Sequence, residues 1–432
     1  MDSVIIYIPI YFSIFANDNL NQMNIPALIL AGGLGTRLKH LVPDMPKPMA
    51  NVAGKPFLYY ILKHLQCQGI KDVYLSVGYK AEVIQNYFHQ TFHNLKLHYI
   101  LEDEPLGTGG ALKLAFQKIN AENILVINGD TFLNVNLKEL FHAHQNEKMT
   151  MALKYIYHSN RYGFVETNDN NYLCGFTEKS NTLKSGYINA GVYLINKKFF
   201  LNNIPSQKIF SFENDFLEKI YTHHKIKTIK VNNYFIDIGV PDDYLKAQND
   251  FVQLKHLNIN KDWTLFLDRD GVINQKLEND YVKSINEFIW IDNVVNALKI
   301  LRQIFGRIII VTNQQGIGKK IMTESDLQQI HDYMLHTLAK ENIIIDKIYY
   351  APDLASTKSI MRKPNIGLAL KAKEEFNDIG FSKSIMVGDS LSDLQFAHNA
   401  GMYSVLLSKN PDKSFPYDFV FDDLYHFAKI FE

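Results

Sequence analysis

At 432 residues the chain is longer than one hydrophobic core usually supports, so two domains of ordinary size are expected. Its 45 basic and 45 acidic residues cancel to a formal charge of zero, which argues against a nucleic-acid-binding or membrane-binding face. Apolar residues at 47% and aromatics at 12% exclude a disordered chain, and Cys67 and Cys174 lie too far apart for metal-ligand spacing, so both are read as thiols in a reducing cytoplasm. Val4 to Phe15 is mostly apolar, too short to span a bilayer and not preceded by the basic residues of a secretory segment. Residues 1–22 are therefore read as an extension outside the fold, the other reading being an added edge strand or a membrane-contacting arm.

From Ala27 the pattern alternates between strand and helix. Ala27 to Leu30, Asp72 to Val77, Leu97 to Leu101 and Ile124 to Ile127 read as buried strands. Phe57 to Gln68 reads as an amphipathic helix ending at Gly69, followed by helices over Ala81 to Phe88 and Gly110 to Phe116. Such alternation predicts a mostly parallel sheet covered by helices, with ligands bound beyond the strand carboxyl ends. The loops at those ends carry chemistry. After the first strand, AGGLGTRL with its Gly32 and Gly33 lets backbone N–H groups approach an anion, while Arg37 and Lys47 add positive charge. It is no dinucleotide fingerprint, because the third glycine position is Leu38. Glu102 to Leu112, EDEPLGTGGAL, puts small residues, Gly107 and Thr108 among them, where a planar base could lie against backbone. Asp130 ends a strand within Asn-Gly-Asp, and Asp237 in FIDIG is a second carboxylate for a divalent cation. Between them Met149 to Tyr155, Gly163 to Glu166, Cys174 to Glu178 and Tyr187 to Ile195 alternate as strands. His142, His144, His223 and His224 lack any such context and read as surface residues.

AGGLGTRL followed by PKP, then PLGTGGAL, resembles the sugar-1-phosphate nucleotidyltransferases, and most closely their D-glycero-D-manno-heptose 1-phosphate guanylyltransferase members. The resemblance implies attack by a sugar 1-phosphate on the α-phosphorus of a nucleoside triphosphate, with pyrophosphate leaving. It implies that Arg37 stabilises pyrophosphate, Lys47 the α-phosphate, and that Asp130 with Asp237 holds Mg²⁺. Glu178, Lys179 and Asn189 match the family's positions for gripping the sugar phosphate, although a Glu-Lys pair taken alone is usually solvated surface.

Tyr244 to Ile259 reads as a helix closing the first domain, and Asn260 to Trp263 as a linker. At Leu265 a fresh strand begins and ends in FLDRDGVIN, where Asp268 can attack a phosphorus in line and Asp270 can serve as general acid. Ile308 to Thr312 with Asn313, then Arg362-Lys363-Pro364, then VGDSLSD with Asp389 and Asp393 follow in order. These strings resemble the haloacid dehalogenase (HAD)-like phosphatases, nearest to the D,D-heptose 1,7-bisphosphate and histidinol-phosphate phosphatases. That implies Thr312 and Asn313 bonding the phosphoryl group, Lys363 neutralising it, and Mg²⁺ on Asp268, Asp389 and the backbone of Asp270, with Asp393 supporting from behind. Arg362 belongs to a loop that would select substrate. The short spacing between motifs leaves no room for a large cap. Pro352 to Met361 contains neither Cys nor His, so no zinc is expected.

The expected fold is α/β with two Rossmann-like domains. Residues 23–259 would form a nucleotidyltransferase domain with a GT-A-like mixed sheet, and residues 260–432 a capless HAD-like domain with a parallel sheet. The expected protein is a cytoplasmic bifunctional enzyme with Mg²⁺ in both domains. It would strip the 7-phosphate from a heptose bisphosphate and pass the 1-phosphate to a GTP-dependent transferase. Two other readings stand: a hexose-1-phosphate transferase joined to a phosphatase of other, histidinol-phosphate-like specificity, and a transferase carrying a non-catalytic regulatory module. Oligomeric state is not legible.

Overall fold

The computed structural model describes residues 25–33, 41, 45–159, 161–177, 183–278, 280–412 and 414–432. The expected extension at 1–22, Arg37, Glu178 and Lys179 lie outside the described residues.

Strands β1 (Ala27–Leu30), β2 (Asp72–Val77), β3 (Leu95–Leu101) and β4 (Asn123–Asn128) run parallel, in the order β4-β1-β2-β3, at the centre of a ten-stranded sheet. β1 is wholly apolar because a central parallel strand is covered on both faces. After β1 the chain adds β2 and β3 on one side and β4 on the other, so the strand order reverses between β1 and β4. Crevices open at such reversals, and here the carboxyl ends of β1 and β4 stand level, Leu30 beside Asn128. Helices α1 (Phe57–Cys67), α2 (Ala81–Phe88) and α3 (Gly107–Lys118) cover the sheet. β5 (Met149–Ser159) and β6 (Lys184–Asn196) continue it antiparallel beyond β4, making the sheet mixed as expected.

A second sheet of six parallel strands follows. β7 (Thr264–Leu267), β8 (Arg307–Asn313), β9 (Lys347–Ala351), β10 (Ser384–Gly388), β11 (Tyr403–Leu407) and β12 (Phe419–Phe421) lie in the order β9-β8-β7-β10-β11-β12. Its reversal falls between β7 and β10, the strands that end in Asp268 and Asp389. Among the described residues, β7 and β8 are joined by a one-turn helix, Ile285–Glu287, and one longer helix, Val294–Ile304, with no cap domain. Thr323 caps the helix Glu324–Lys340, its side chain and that of Asp326 bonding reciprocally at the helix start.

Three local readings are corrected. The helix expected over Tyr244 to Ile259 runs over Pro241–Val252 and stops because Leu254 turns left-handed, at φ 53°. Trp263, expected in a linker, is buried against Tyr403 in the second core. His144 is buried beneath β5, where it bonds Thr150 at 2.9 Å, whereas His142, His223 and His224 are exposed.

The largest surprise is α1. Its pattern reads as amphipathic, yet all eleven residues are buried because the second sheet's layer covers its polar side. Lys63 donates to the Met402 carbonyl at 2.8 Å and pairs with Asp418 at 3.1 Å, both side chains being nearly inaccessible. Tyr59 donates to the other Asp418 oxygen at 2.7 Å, and Gln66 to the His398 carbonyl at 3.2 Å. The two cores also meet, since Cys67, Leu254 and Leu257 belong to the same cluster as Leu265 and Phe305. His93, His398 and Asp418 bring potential ligand atoms together at this junction, but the Lys63 ammonium already supplies the positive charge. A buried pair of this kind contributes little net stability, while removing one member strands the other charge.

Several histidines are held neutral by burial: His64 and His144 at about 4, His256 at about 3, His331 at about 4. Each folded value lies below the unfolded value near 6.5, so the unfolded chain binds more protons once pH drops below 6.5. Stability is therefore lost as pH falls from 6.5 towards 4, each fully buried imidazole contributing roughly 3 kcal/mol to the loss. Thermal unfolding followed between pH 7 and 4 should show a steep fall in Tm over that window, and a flat profile would contradict it.

Candidate active sites

The first site is a cleft of about 490 Å³ at the β1/β4 reversal, lined by Gly32, Gly33, Lys47, Glu102, Gly107, Thr108, Asn128 and Asp130 among others. Its walls need glycine. A Cβ on Gly32 would lie 2.5 Å from Glu102 Oε1, and one on Gly107, at φ 71°, would lie 2.6 Å from the Phe210 carbonyl. Gly33 lines the cleft, and nothing among the described residues stands over it. Thr108 is fixed by the Phe212 N–H and by its own bond to Glu213, both at 2.8 Å.

Lys47 follows Pro46 at the start of a single 3-10 turn and donates to Asp130 Oδ2 at 2.8 Å. Asp237 is brought alongside by the ribbon Thr131–Leu133/Phe235–Asp237, in which Asp237 stands opposite Thr131 and the Ile238 N–H bonds the Asp130 carbonyl. Burial and the charge of Asp130 push the Asp237 carboxyl above its ordinary range, against the pull of the Gly239 N–H and Lys47. Among the described residues Lys47 faces both carboxylates, and Asn128 Oδ1 is buried with no partner beside it. That donor set fits a hard divalent cation. Asn189 sits on β6, bonded to Tyr193 and the Gly191 N–H, two residues from the glycine that packs on Asn128.

Glu102 was not singled out as a site residue. It ends β3, accepts from Ser76 Oγ at 2.8 Å and has its carboxyl raised by burial. It is held by Ser76 on β2 and by the backbone of Leu106 four residues further on, and its carboxylate stands over Gly32.

The second site lies at the β7/β10 reversal. Asp268 is 3.0 Å from the fully buried Lys363 ammonium, which also donates to Asp393 at 2.6 Å and to the Val311 carbonyl at 2.8 Å. Burial pushes Asp268 up to about 7; Lys363 opposes this, while Asp393, Asp270 and Asp389 add to it. Asp393 also caps the helix Leu391–Ala400 through Ser390, which explains why it is wholly enclosed. Thr312 accepts from Gln314 at 2.9 Å. Asn313 spends both ends of its amide on the Lys363 backbone, locking the RKP loop to β8, and Arg362 bonds the Asp353 carbonyl.

Asp270 is anchored by Arg269 at 2.9 Å, Asn274 at 2.9 Å and Gln314 at 2.9 Å. Burial alone would raise its carboxyl, but these donors hold it below the ordinary range, as an anion. Asp268, Asp389 and Asp393 bring oxygens together, and Asp389 Oδ1 is buried without a partner. A Cβ on Gly271 would fall 2.3 Å from Asp389 Oδ2, so glycine keeps this cradle open. The set fits a hexacoordinate cation such as Mg²⁺. A larger cleft of about 830 Å³ opens between the two layers, but it contains none of these groups, and ion pairs such as Arg307–Asp378 and Lys383–Asp262 lie along it.

A glycine-walled cleft with a lysine and two carboxylates, joined to a parallel sheet with an Asp-Lys-Asp cluster, defines a nucleotidyltransferase coupled to a HAD-like phosphatase. Residues 26–253 match the Nucleotidyl transferase family, to which the chain belongs, and residues 264–415 match Polynucleotide kinase 3 phosphatase. The chain is similar to the D-glycero-alpha-D-manno-heptose 1-phosphate guanylyltransferase of Aneurinibacillus thermoaerophilus, 48% identical over 226 residues, which are 52% of this chain and 97% of that protein. Its second half is similar to the D-glycero-alpha-D-manno-heptose-1,7-bisphosphate 7-phosphatase of Mycobacterium bovis, 39% identical over 170 residues, 38% of this chain and 90% of that protein. The crystal structure of HddC from Yersinia pseudotuberculosis is 38% identical, covering 52% of this chain and 99% of its own, with a TM-score of 0.49. Among the described residues no helix is long and apolar enough to cross a membrane.

Proposed function

We propose that the chain makes a nucleotide-activated heptose in two steps. The phosphatase half, from about residue 260, removes the 7-phosphate of D-glycero-D-manno-heptose 1,7-bisphosphate. The transferase half, up to about residue 259, joins the resulting 1-phosphate to GMP from GTP. The observation that carries this reading is that each half resembles over nearly its whole length an enzyme of the same sugar.

In the phosphatase half Asp268 attacks the phosphorus, Lys363 neutralises the equatorial oxygens and Thr312 donates to one of them. Mg²⁺ on Asp268, Asp389 and the Asp270 backbone would draw charge from the phosphoryl group. Asp270, ionised against Arg269, is suited to accept the proton of the water that hydrolyses the aspartyl-phosphate. Protonation of the leaving oxygen in the first step requires its acid form, which Arg269, Asn274 and Gln314 disfavour in this arrangement. In the transferase half positioning and charge neutralisation suffice. Lys47 reaches the α-phosphate, Asp130 and Asp237 would hold Mg²⁺, Gly32, Gly33, Gly107 and Thr108 enclose the nucleotide, Arg37 meets the pyrophosphate, and Glu178, Lys179 and Asn189 take the sugar phosphate.

Glu102 selects the base. Guanine presents two neighbouring donors, N1–H and the 2-amino group, to a carboxylate, whereas adenine presents a lone pair at N1. Glu102→Gln replaces one acceptor by a donor. It should lower kcat/KM for GTP by about 10²-fold or more while changing that for ATP far less. A nucleotide panel with heptose 1-phosphate measures this; a variant that kept the wild-type GTP preference would remove Glu102 from base selection.

A further inference from the structure

We infer that Lys276 is a positioning residue of the phosphatase centre, holding Asp389 so that its inner oxygen faces the metal. The inference rests on the proposed role of Asp389 as a metal ligand. Lys276 follows the DRDGVIN loop, and its ammonium donates to Asp389 Oδ2 at 2.8 Å. The other oxygen, Oδ1, is buried and has no partner among the described residues. The carboxylate is thus divided, one oxygen clamped by an ammonium at the half-exposed rim and one left bare, in a residue whose carboxylate clusters with those of Asp268 and Asp393.

The arm that carries Lys276 is built rather than loose. The Gln275 N–H bonds the Ile289 carbonyl at 2.8 Å, the Asn274 amide bonds the Gln275 carbonyl at 2.9 Å, and Leu277 packs on the core. Gly271 lies against the same Oδ2, leaving no side chain on that flank to hold it. Without Lys276 the carboxylate can rotate about its Cβ–Cγ bond and offer the metal neither oxygen in a fixed direction. An ammonium near the site also lowers its negative charge, and by charge alone its removal would tighten cation binding. Orientation and charge therefore predict opposite signs, which makes the inference decidable. Partners that orient ligands typically change metal affinity by 10- to 100-fold.

The test is Mn²⁺ binding to the full-length protein, followed by electron paramagnetic resonance without substrate, in wild type, Asp389→Asn, Lys276→Met and Lys276→Arg. Loss of one bound ion in Asp389→Asn identifies the phosphatase site; no loss would overturn the metal-site reading itself. Given that loss, Lys276→Met should weaken this ion's binding by about tenfold, and Lys276→Arg, which keeps a cationic donor, should restore most of it. Unchanged or tighter binding in Lys276→Met would overturn the positioning role. Equal weakening in both variants would overturn it too, since a general disturbance of the loop would do the same. Thermal melting of the metal-free variants at the wild-type temperature excludes misfolding.

Discussion

Asp268→Asn is expected to abolish phosphate release, by about 10⁴-fold or more, while nucleotidyl transfer to a supplied sugar 1-phosphate continues at the wild-type rate. The amide keeps the volume of the carboxylate but cannot attack phosphorus. The fold should survive, because Lys363 keeps its 2.6 Å partner Asp393 and its 2.8 Å bond to the Val311 carbonyl. Burial and neighbouring carboxylates disfavour the charge on Asp268, so its replacement relieves repulsion in the metal-free protein. Parallel assays of phosphate and pyrophosphate check this. Loss of neither product would identify the second half as a non-catalytic module, and loss of both would mean that the junction at α1 couples the sites.

Asp237→Asn is the mirror experiment. Removing one of two carboxylates offered to Mg²⁺ should cost about 4 kcal/mol of transition-state stabilisation, roughly 10³-fold in pyrophosphate release, with phosphate release unaffected. The sign of its effect on stability is a second readout. Burial and Asp130 raise the Asp237 carboxyl, so at neutral pH its ionised form destabilises the metal-free fold. The variant should therefore melt slightly higher than wild type without Mg²⁺ and gain less from its addition. Melting curves with and without Mg²⁺ give the answer; a variant that melts lower in chelator would contradict the proposed crowding of the two carboxylates.

Much of the architecture is legible in the sequence because its signals are local. Asp72–Val77 and Ala81–Phe88 begin and end where period and turn residues say. The alternation of strand and helix places the motif loops beyond the strand carboxyl ends, where the fold gathers Gly32, Gly107 and Asp130, and Asp268, Lys363 and Asp389, whereas the strand order itself is not legible in it. Contributions from other elements are what a linear reading misses. Lys63 and Gln66 read as the wet side of an amphipathic helix, and only the second layer turns that side into an interface, while His64 bonds the Val135 carbonyl of the first domain. Glu102 and Lys276 carry no motif, since Ser76 aims one and Asp389 receives the other. Asn313 reads as a phosphoryl contact, but its amide is committed to the Lys363 backbone, an association across 50 residues.

The most direct test of the whole account is a time course of purified protein with D-glycero-D-manno-heptose 1,7-bisphosphate, GTP and Mg²⁺, reading phosphate and pyrophosphate together. The account predicts one phosphate and one pyrophosphate per sugar, phosphate first, and a GDP-linked heptose as the final product. Pyrophosphate formed without prior phosphate release, or turnover of a hexose 1-phosphate in place of the heptose, would contradict it.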